Sequence, residues 1–158
     1  GAIAAFKARF AAHGIGEDRL EFRGPVGLTD MMAEYADVDI ALDPVPYNGG
    51  TTTLQAMWMG VPVVVKAGNN FVSRMGASFM SAAGLTDWVA ANDAEYVEIA
   101  VRMAADRHAL LVLKQGLRER LESAAAWDID QYSRDFEGAL REMWVRHCTT
   151  SQAQPKKP

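Results

Sequence analysis

The stretch VDIALDPVPYNGGTTTLQAMWMGVPVVVK, residues 38–66, decides the fold. Its two apolar runs, VDIAL at residues 38–42 and VPVVV at residues 61–65, consist largely of branched aliphatic residues. Continuous runs of this kind predict strands that are buried on both faces of a parallel sheet. Between them, TTLQAMWM has the length of a helix and stops at Gly60, a residue that commonly ends helices. The stretch therefore predicts two adjacent parallel strands joined by a helix.

The flanking sequence continues this alternation. Asn92 and Glu95 form an N-cap and third-residue acid pair, which predicts that a helix begins there. Apolar residues at helical spacing predict three further helices, near each end of the chain and around residues 110–121. The remaining predicted elements are a short strand at residues 19–24, a helix at residues 29–35, a helix ended by Gly84, and a short apolar segment, LTDWVA, at residues 85–90.

Short buried strands alternating with helices indicate an α/β fold, a Rossmann-like parallel sheet with flanking helices. Only three or four strands are found, which is few for a doubly wound domain and suggests one that is truncated at its N-terminal edge. We expect one lobe over residues 1–148, with two closing helices that pack on the sheet or return across it and with Trp58, Trp88 and Trp144 in the core. Residues 149–158 are polar, end in prolines and lysines, and predict a disordered tail.

Composition excludes several classes of function. The formal charge of the 158 residues is −4, which argues against a nucleic-acid partner. No apolar run is long enough to span a bilayer, and no signal peptide is recognisable at the N-terminus, so no membrane partner and a cytoplasmic location are expected. The single cysteine, Cys148, cannot form an internal disulfide and fits a reducing compartment.

The candidate site lies between the two predicted strands. In a parallel sheet, ligands bind where strands end and the next helices begin. Gly49 and Gly50 allow the backbone to approach a ligand closely. Thr51 and Thr52 then begin a helix, and the free N–H groups and dipole of a helix start favour an anion such as a diphosphate. The alternative is that the threonines only cap this helix, since threonine is a good N-cap.

A longer comparison identifies a family. The segments VDIALDPVPYNGGTTTLQAMWMGVPVVVKAG, SRMGASFMSAAGL and YVEIAVRMAAD resemble the C-terminal catalytic region of the O-linked N-acetylglucosamine transferases, which include SPINDLY-like proteins and bacterial relatives. The resemblance runs from about residue 10 to Trp144. It implies a GT-B fold with two Rossmann-like lobes, of which this chain resembles most of the second, UDP-binding lobe.

The resemblance also implies roles for particular residues. Thr51 and Thr52 would bind the diphosphate of the donor, and the backbone near Val26 would meet the uracil. Gln55 stands where the family has an Asp or Glu that holds the ribose, Met31 where it usually has a histidine against the base, and Gly50 where animal members have a histidine. The family places its general base in the first lobe and uses no metal, so we assign no catalytic residue, metal or cofactor here.

Two functions remain open. The first is the UDP-sugar-binding part of a protein O-glycosyltransferase, inactive alone, with N-acetylglucosamine as the expected sugar and a Ser or Thr of a protein as the acceptor. The second is a non-catalytic binding or interaction module that kept the fold and lost the chemistry, as Gln55 and Met31 suggest. Helical repeats and a first lobe encoded upstream would favour the enzyme.

Overall fold

The computed structural model of the protein describes residues 1–124 and 127–152. The described chain divides into two compact units, one formed by residues 1–34 and the other beginning at Tyr35. Within residues 1–124 and 127–152, no helix combines the length and the apolar character needed to cross a bilayer.

The first unit is built from two helices. Helix α1 spans Ala2–Ala11 and is followed by Gly14 at φ +75°, and helix α2 spans Leu28–Glu34. The strand predicted at residues 19–24 is wrong, because Glu17–Arg19 form a 3-10 turn and residues 20–27 form neither helix nor strand. A strand exists only with a hydrogen-bonded neighbour. Among the described residues, no backbone group bonds to the N–H groups of Glu21 and Phe22 in the middle of the predicted strand.

The second unit contains a three-stranded parallel sheet. Its strands are β1 (Ala41–Leu42), β2 (Val63–Lys66) and β3 (Val89–Ala90), in the spatial order β1-β2-β3. Ala41 is in register with Val63, and Val65 is in register with Val89. The predicted parallel neighbours are therefore confirmed, and so is the burial of residues 61–65.

The first predicted strand is shorter and less buried than expected. Only Ala41 and Leu42 of residues 38–42 pair with β2, and the Leu42 side chain is 59% exposed. Successive side chains of a strand point to opposite faces of the sheet, so the partly buried Ala41 and the exposed Leu42 lie on different faces. Ile40 and Ala41 still pack against the core.

Four helices follow the strands of the second unit. They are α3 (Thr51–Trp58), α4 (Met75–Ala82), α5 (Asp93–Ala105) and α6 (Arg107–Glu122). Gly60 at φ +81° and Gly84 at φ +68° lie just beyond α3 and α4, in the left-handed conformation that glycine tolerates best. The predicted cap of α5 is confirmed, because Asn92 Oδ1 accepts from the Glu95 N–H at 3.0 Å.

The core of the second unit surrounds β2. Helices α4 and α5 pack against β2, and α3 packs against α6. Leu117 and Leu121 of α6 are fully buried, as is Met57 of α3. Trp88 lies in this core at 4% exposure, and Trp58 is half-buried with the Arg118 guanidinium 5.0 Å from its ring centroid.

The last helix differs from its prediction. Helix α7 spans Ile129–Gln152, and its apolar stripe is at least half exposed, including Trp144 at 66%. The expectation that Trp144 is a core residue is therefore wrong, because no described element covers this face of α7. The helix also continues through Gln152, into the segment for which the sequence predicts a disordered tail. Residues 153–158 of that segment lie outside the described residues.

Candidate functional site

The candidate site is the loop that joins β1 to α3. Asp43 follows β1 directly, and its N–H donates to Val64 O of β2 at 2.9 Å. Further along, the Asn48 N–H donates to Val72 O at 3.0 Å, and the fully buried Asn48 side chain donates to Pro44 O at 3.2 Å. The loop is thus tied to the sheet at its start and to the segment before α4 near its end.

The two glycines of the loop pack closely against neighbouring side chains. A Cβ at Gly49 would overlap the Thr53 hydroxyl and lie 2.8 Å from the Thr52 hydroxyl. A Cβ at Gly50 would lie 2.8 Å from the Met75 methyl group at the start of α4. Real Cβ atoms essentially never come so close, so larger residues at either position would displace their neighbours. The two glycines thus allow the loop to pack closely against the chain's own side chains, and the predicted approach to a ligand stays a prediction.

Among the described residues, no acceptor is found for the first N–H groups of α3. Gly50 occupies the N-cap position and makes no side-chain cap hydrogen bond. The Leu54 N–H, which donates to Gly50 O at 3.2 Å, makes the first bond of the helix, so the N–H groups of residues 51–53 precede it. Thr51 and Thr52 lie in the first turn with exposed side chains. Because the cap residue is a glycine, helix capping does not explain their hydroxyls.

The third threonine has a different task. Thr53 is 4% exposed, and its hydroxyl donates to the Asp43 carboxylate. Gln55 lies four residues after Thr51, and side chains at this spacing share one face of a helix. It is half-buried. The residues from Gly49 to Gln55 therefore lie together at the ligand edge. Of the three consecutive threonines at residues 51–53, Thr51 and Thr52 are exposed to solvent and Thr53 is buried.

Asp43 is a residue of this edge to which the sequence analysis assigned no role. Burial raises the pKa of Asp43 above its ordinary value, while hydrogen bonds from the Gly49 N–H and the Thr53 hydroxyl oppose the shift. The Tyr96 hydroxyl donates to Asp43 O at 2.9 Å, and burial together with the Asp43 charge raises the pKa of Tyr96 to about 12. An aspartate placed directly after a predicted buried strand, at the ligand edge, was the available signal.

A cation ends β2 at the same edge. Lys66 donates to Asp93 Oδ1 at 2.6 Å, beside the start of α5. This ion pair gives Lys66 a structural partner.

The predicted contacts to the base lie in the first unit. Val26 is 48% exposed and precedes α2. Met31 is half-buried within α2, and its N–H donates to Gly27 O at 2.9 Å. The structure therefore brings Gly49, Gly50, Thr51, Thr52 and Gln55 together in the second unit, while Val26 and Met31 belong to the other unit.

Comparison with known families decides what this arrangement belongs to. The family model described as glycosyl transferase family 41 matches residues 5–136, most of the chain. The chain belongs to glycosyl transferase family 41. This membership confirms the resemblance to the O-linked N-acetylglucosamine transferases.

Curated relatives of this family-41 chain come from plants and animals. It is 39% identical over 119 residues to a probable UDP-N-acetylglucosamine–peptide N-acetylglucosaminyltransferase SPINDLY of Petunia hybrida, a match that covers 75% of this chain and 13% of the relative. It is 30% identical over 134 residues to a UDP-N-acetylglucosamine–peptide N-acetylglucosaminyltransferase of Caenorhabditis elegans, covering 85% of this chain and 12% of that protein. The chain thus spans about an eighth of these relatives.

A solved structure of the same type supports the fold. A mutant of the Thermobaculum terrenum O-GlcNAc transferase superposes on the family-41 chain with a TM-score of 0.82 at 37% identity. The match covers 94% of this chain and 28% of that one. The α/β fold class, a parallel sheet with flanking helices from a GT-B catalytic region, is therefore confirmed.

Proposed function

We propose that this chain is the UDP-sugar-binding part of an enzyme that transfers a sugar, with N-acetylglucosamine as the expected one, to serine or threonine hydroxyls of proteins. The observation that carries the proposal is the start of α3, where free N–H groups and two exposed threonine hydroxyls follow a glycine N-cap at the ligand edge of the sheet. The names of the family-41 relatives, which are peptide N-acetylglucosaminyltransferases, supply the donor and the acceptor.

The chemistry of the site suits a leaving diphosphate. When an acceptor hydroxyl attacks the anomeric carbon, the bond from that carbon to the diphosphate breaks and negative charge develops on UDP. The helix dipole and the N–H groups of residues 51–53 are fixed donors that stabilise such charge. The hydroxyls of Thr51 and Thr52 add two neutral donors. Metal and cofactor play no part in this proposal.

The family resemblance supplies the other predicted contacts to the donor. Gln55, one turn into α3, would hydrogen-bond the ribose hydroxyls through its amide, and the backbone near Val26 and the side chain of Met31 would face the uracil. We also propose that the chain alone transfers no sugar, because the family takes its general base from the first lobe. A transfer assay with labelled UDP-N-acetylglucosamine and a protein acceptor tests this, and any product would refute it.

A second candidate is a non-catalytic module that kept the fold. Two residues favour it, since Gln55 offers a neutral amide where the family uses a carboxylate, and Met31 offers no ring nitrogen. A module of this kind would bind UDP no better than it binds unrelated nucleotides.

The test is a nucleotide titration followed by amide chemical shifts. UDP is expected to bind at about millimolar affinity, because an open site with a few dipole-assisted hydrogen bonds yields roughly −4 kcal/mol. UMP, which lacks the second phosphate, should bind more weakly, and ADP tests the base contacts. Shifts that cluster away from residues 49–55, or equal binding of all three nucleotides, would contradict the proposal.

A further inference from the structure

The buried polar residues beneath the donor loop have not been assigned a role. Among the described residues, the buried polar side chains are those of Asp43, Asn48, Thr53 and Ser73, and only Asp43 is ionisable. At 3% exposure it cannot touch a ligand in solvent. A carboxylate buried close to an anion site is unfavourable twice, through its own desolvation and through repulsion of the ligand. Its presence therefore needs a compensating contact.

Asp43 is rigidly held by the sheet and the helix behind it. Its N–H donates to Val64 O of β2, and its carbonyl accepts from the Tyr96 hydroxyl of α5, each at 2.9 Å. The backbone of Asp43 thus belongs to the fixed part of the second unit.

The carboxylate of Asp43 restrains the loop through hydrogen bonds. Asp43 Oδ1 accepts from the Gly49 N–H at 2.6 Å, and the carboxylate also accepts from the Thr53 hydroxyl of α3. Asp43 Oδ2 lies against Gly76 in the first turn of α4, where a Cβ would overlap it, and accepts no hydrogen bond from a described residue. One side chain therefore contacts the loop and the first turns of α3 and α4, two of the three helices that begin at this edge.

We propose that Asp43 is a positioning residue of the donor site, whose buried carboxylate holds the Gly49–Gly50 backbone and the first turn of α3 in the conformation that receives the diphosphate. The proposal rests on the proposed function for its ligand. Asp43 does not itself contact the donor. Its effect is exerted through the Gly49 N–H and through Thr53, and it fixes the direction of the free N–H groups that follow.

The variants Asp43→Ala and Asp43→Asn separate the acceptor from the charge. Alanine removes the acceptor for Gly49 and Thr53, whereas asparagine keeps one carbonyl oxygen of the same shape and loses the charge. We expect Asp43→Ala to weaken UDP binding about tenfold, the equivalent of one lost charge-assisted hydrogen bond. Asp43→Asn should stay within about threefold of the wild type, since the acceptor remains and the repulsion is gone.

The hydrogen bond from the Gly49 N–H to Asp43 can be detected without any ligand, through the amide resonance of Gly49. A hydrogen bond of 2.6 Å to a carboxylate should move this proton downfield and slow its exchange in the wild type. Both effects should vanish in Asp43→Ala and largely persist in Asp43→Asn. The control is Val61→Ala in the fully buried segment before β2, which lowers stability but should change neither UDP affinity nor the Gly49 resonance.

The possible results distinguish the two proposals. If Asp43→Ala leaves the Gly49 resonance and UDP binding unchanged, the positioning role is overturned while the proposed function stands. If the wild type binds no UDP, the proposed function fails, and the role of Asp43 at a donor site fails with it. If Asp43→Ala does not fold, fast exchange of the Gly49 amide in the wild type would still show that Asp43 does not hold this N–H group, and the positioning role would be overturned.

Discussion

Replacing Thr51 and Thr52 by valine tests the donor site most directly. Valine keeps the shape of threonine and removes the hydroxyl. Because the N-cap of α3 is Gly50 and makes no side-chain cap bond, the double variant loses no capping interaction. Both side chains are exposed, so the free energy of unfolding should change by no more than about 0.5 kcal/mol.

The effect on binding should be much larger than the effect on stability. Each hydroxyl that donates to a phosphate oxygen at a solvent-exposed site contributes about 1 kcal/mol, so the pair contributes about 2 kcal/mol, or roughly a 30-fold loss of UDP affinity. From a millimolar starting point, a loss of this size removes detectable binding. The N–H groups of residues 51–53 remain, which keeps the helix start intact.

Thr53→Val provides the matched control within the same helix turn. Thr53 is buried and donates to the Asp43 carboxylate, so this variant leaves a buried acceptor with one donor fewer and should lose about 1–3 kcal/mol of stability. Urea unfolding followed by circular dichroism measures the stabilities, and amide shifts measure UDP binding. A double variant that binds UDP like the wild type would refute the assignment of the hydroxyls. If the double variant lost as much stability as Thr53→Val, the assignment of Gly50 as the N-cap of α3 would be refuted.

Three further predictions concern the ribose contact, an ionisation and the core. Gln55→Glu should tighten UDP binding about threefold if the ribose lies one turn into α3, because a carboxylate accepts more strongly than an amide; calorimetry measures the change, and weaker binding would contradict the geometry. The pKa of Tyr96 is raised from 10.0 to about 12, so the stability gained from its protonated form is present below pH 10 and is lost as pH rises towards 12. Tyr96→Phe should therefore show a shallower loss of stability than the wild type in urea unfolding between about pH 9, about one unit below the ordinary tyrosine pKa, and pH 12, the raised pKa of Tyr96 at about 12. Identical slopes would show that Tyr96 titrates normally. Leu117→Ala should cost about 2–5 kcal/mol because this side chain of α6 is fully buried, whereas Leu111→Ala, at 53% exposure, should cost under about 0.5 kcal/mol; similar values in urea unfolding would mean that α6 packs with a different face.

Local chemistry made the helix ends and the central strand predictable. Gly60 and Gly84 end their helices through a conformation that glycine adopts most easily, and Asn92 begins α5 through a bond to a residue three positions away. All five residues of the run at residues 61–65 are apolar, so the burial of the run could be predicted from its composition. These features depend on near neighbours in the chain, which any reader of the sequence can see.

The candidate site was partly predictable for the same reason. Gly49, Gly50, Thr51, Thr52 and Gln55 are nearly contiguous, so their common position follows from placing one strand and one helix. Their individual environments did not follow. That Gly50 is the cap, that Thr53 is buried and that Thr51 and Thr52 are exposed depends on where α3 begins and what lies beneath it.

The sequence by itself determined an α/β chain with a buried parallel strand and a glycine–threonine edge, because these rest on local backbone preference and on apolar patterning. The tertiary structure alone decided that Leu42 lies on an exposed edge strand, that residues 19–24 form no strand, and that the apolar stripe of α7 faces solvent. It also decided the role of Asp43, whose partner Tyr96 is 53 residues away. Burial, strand pairing and pKa depend on contacts with segments that are far away in the sequence. Local sequence patterns do not show which distant segments make those contacts.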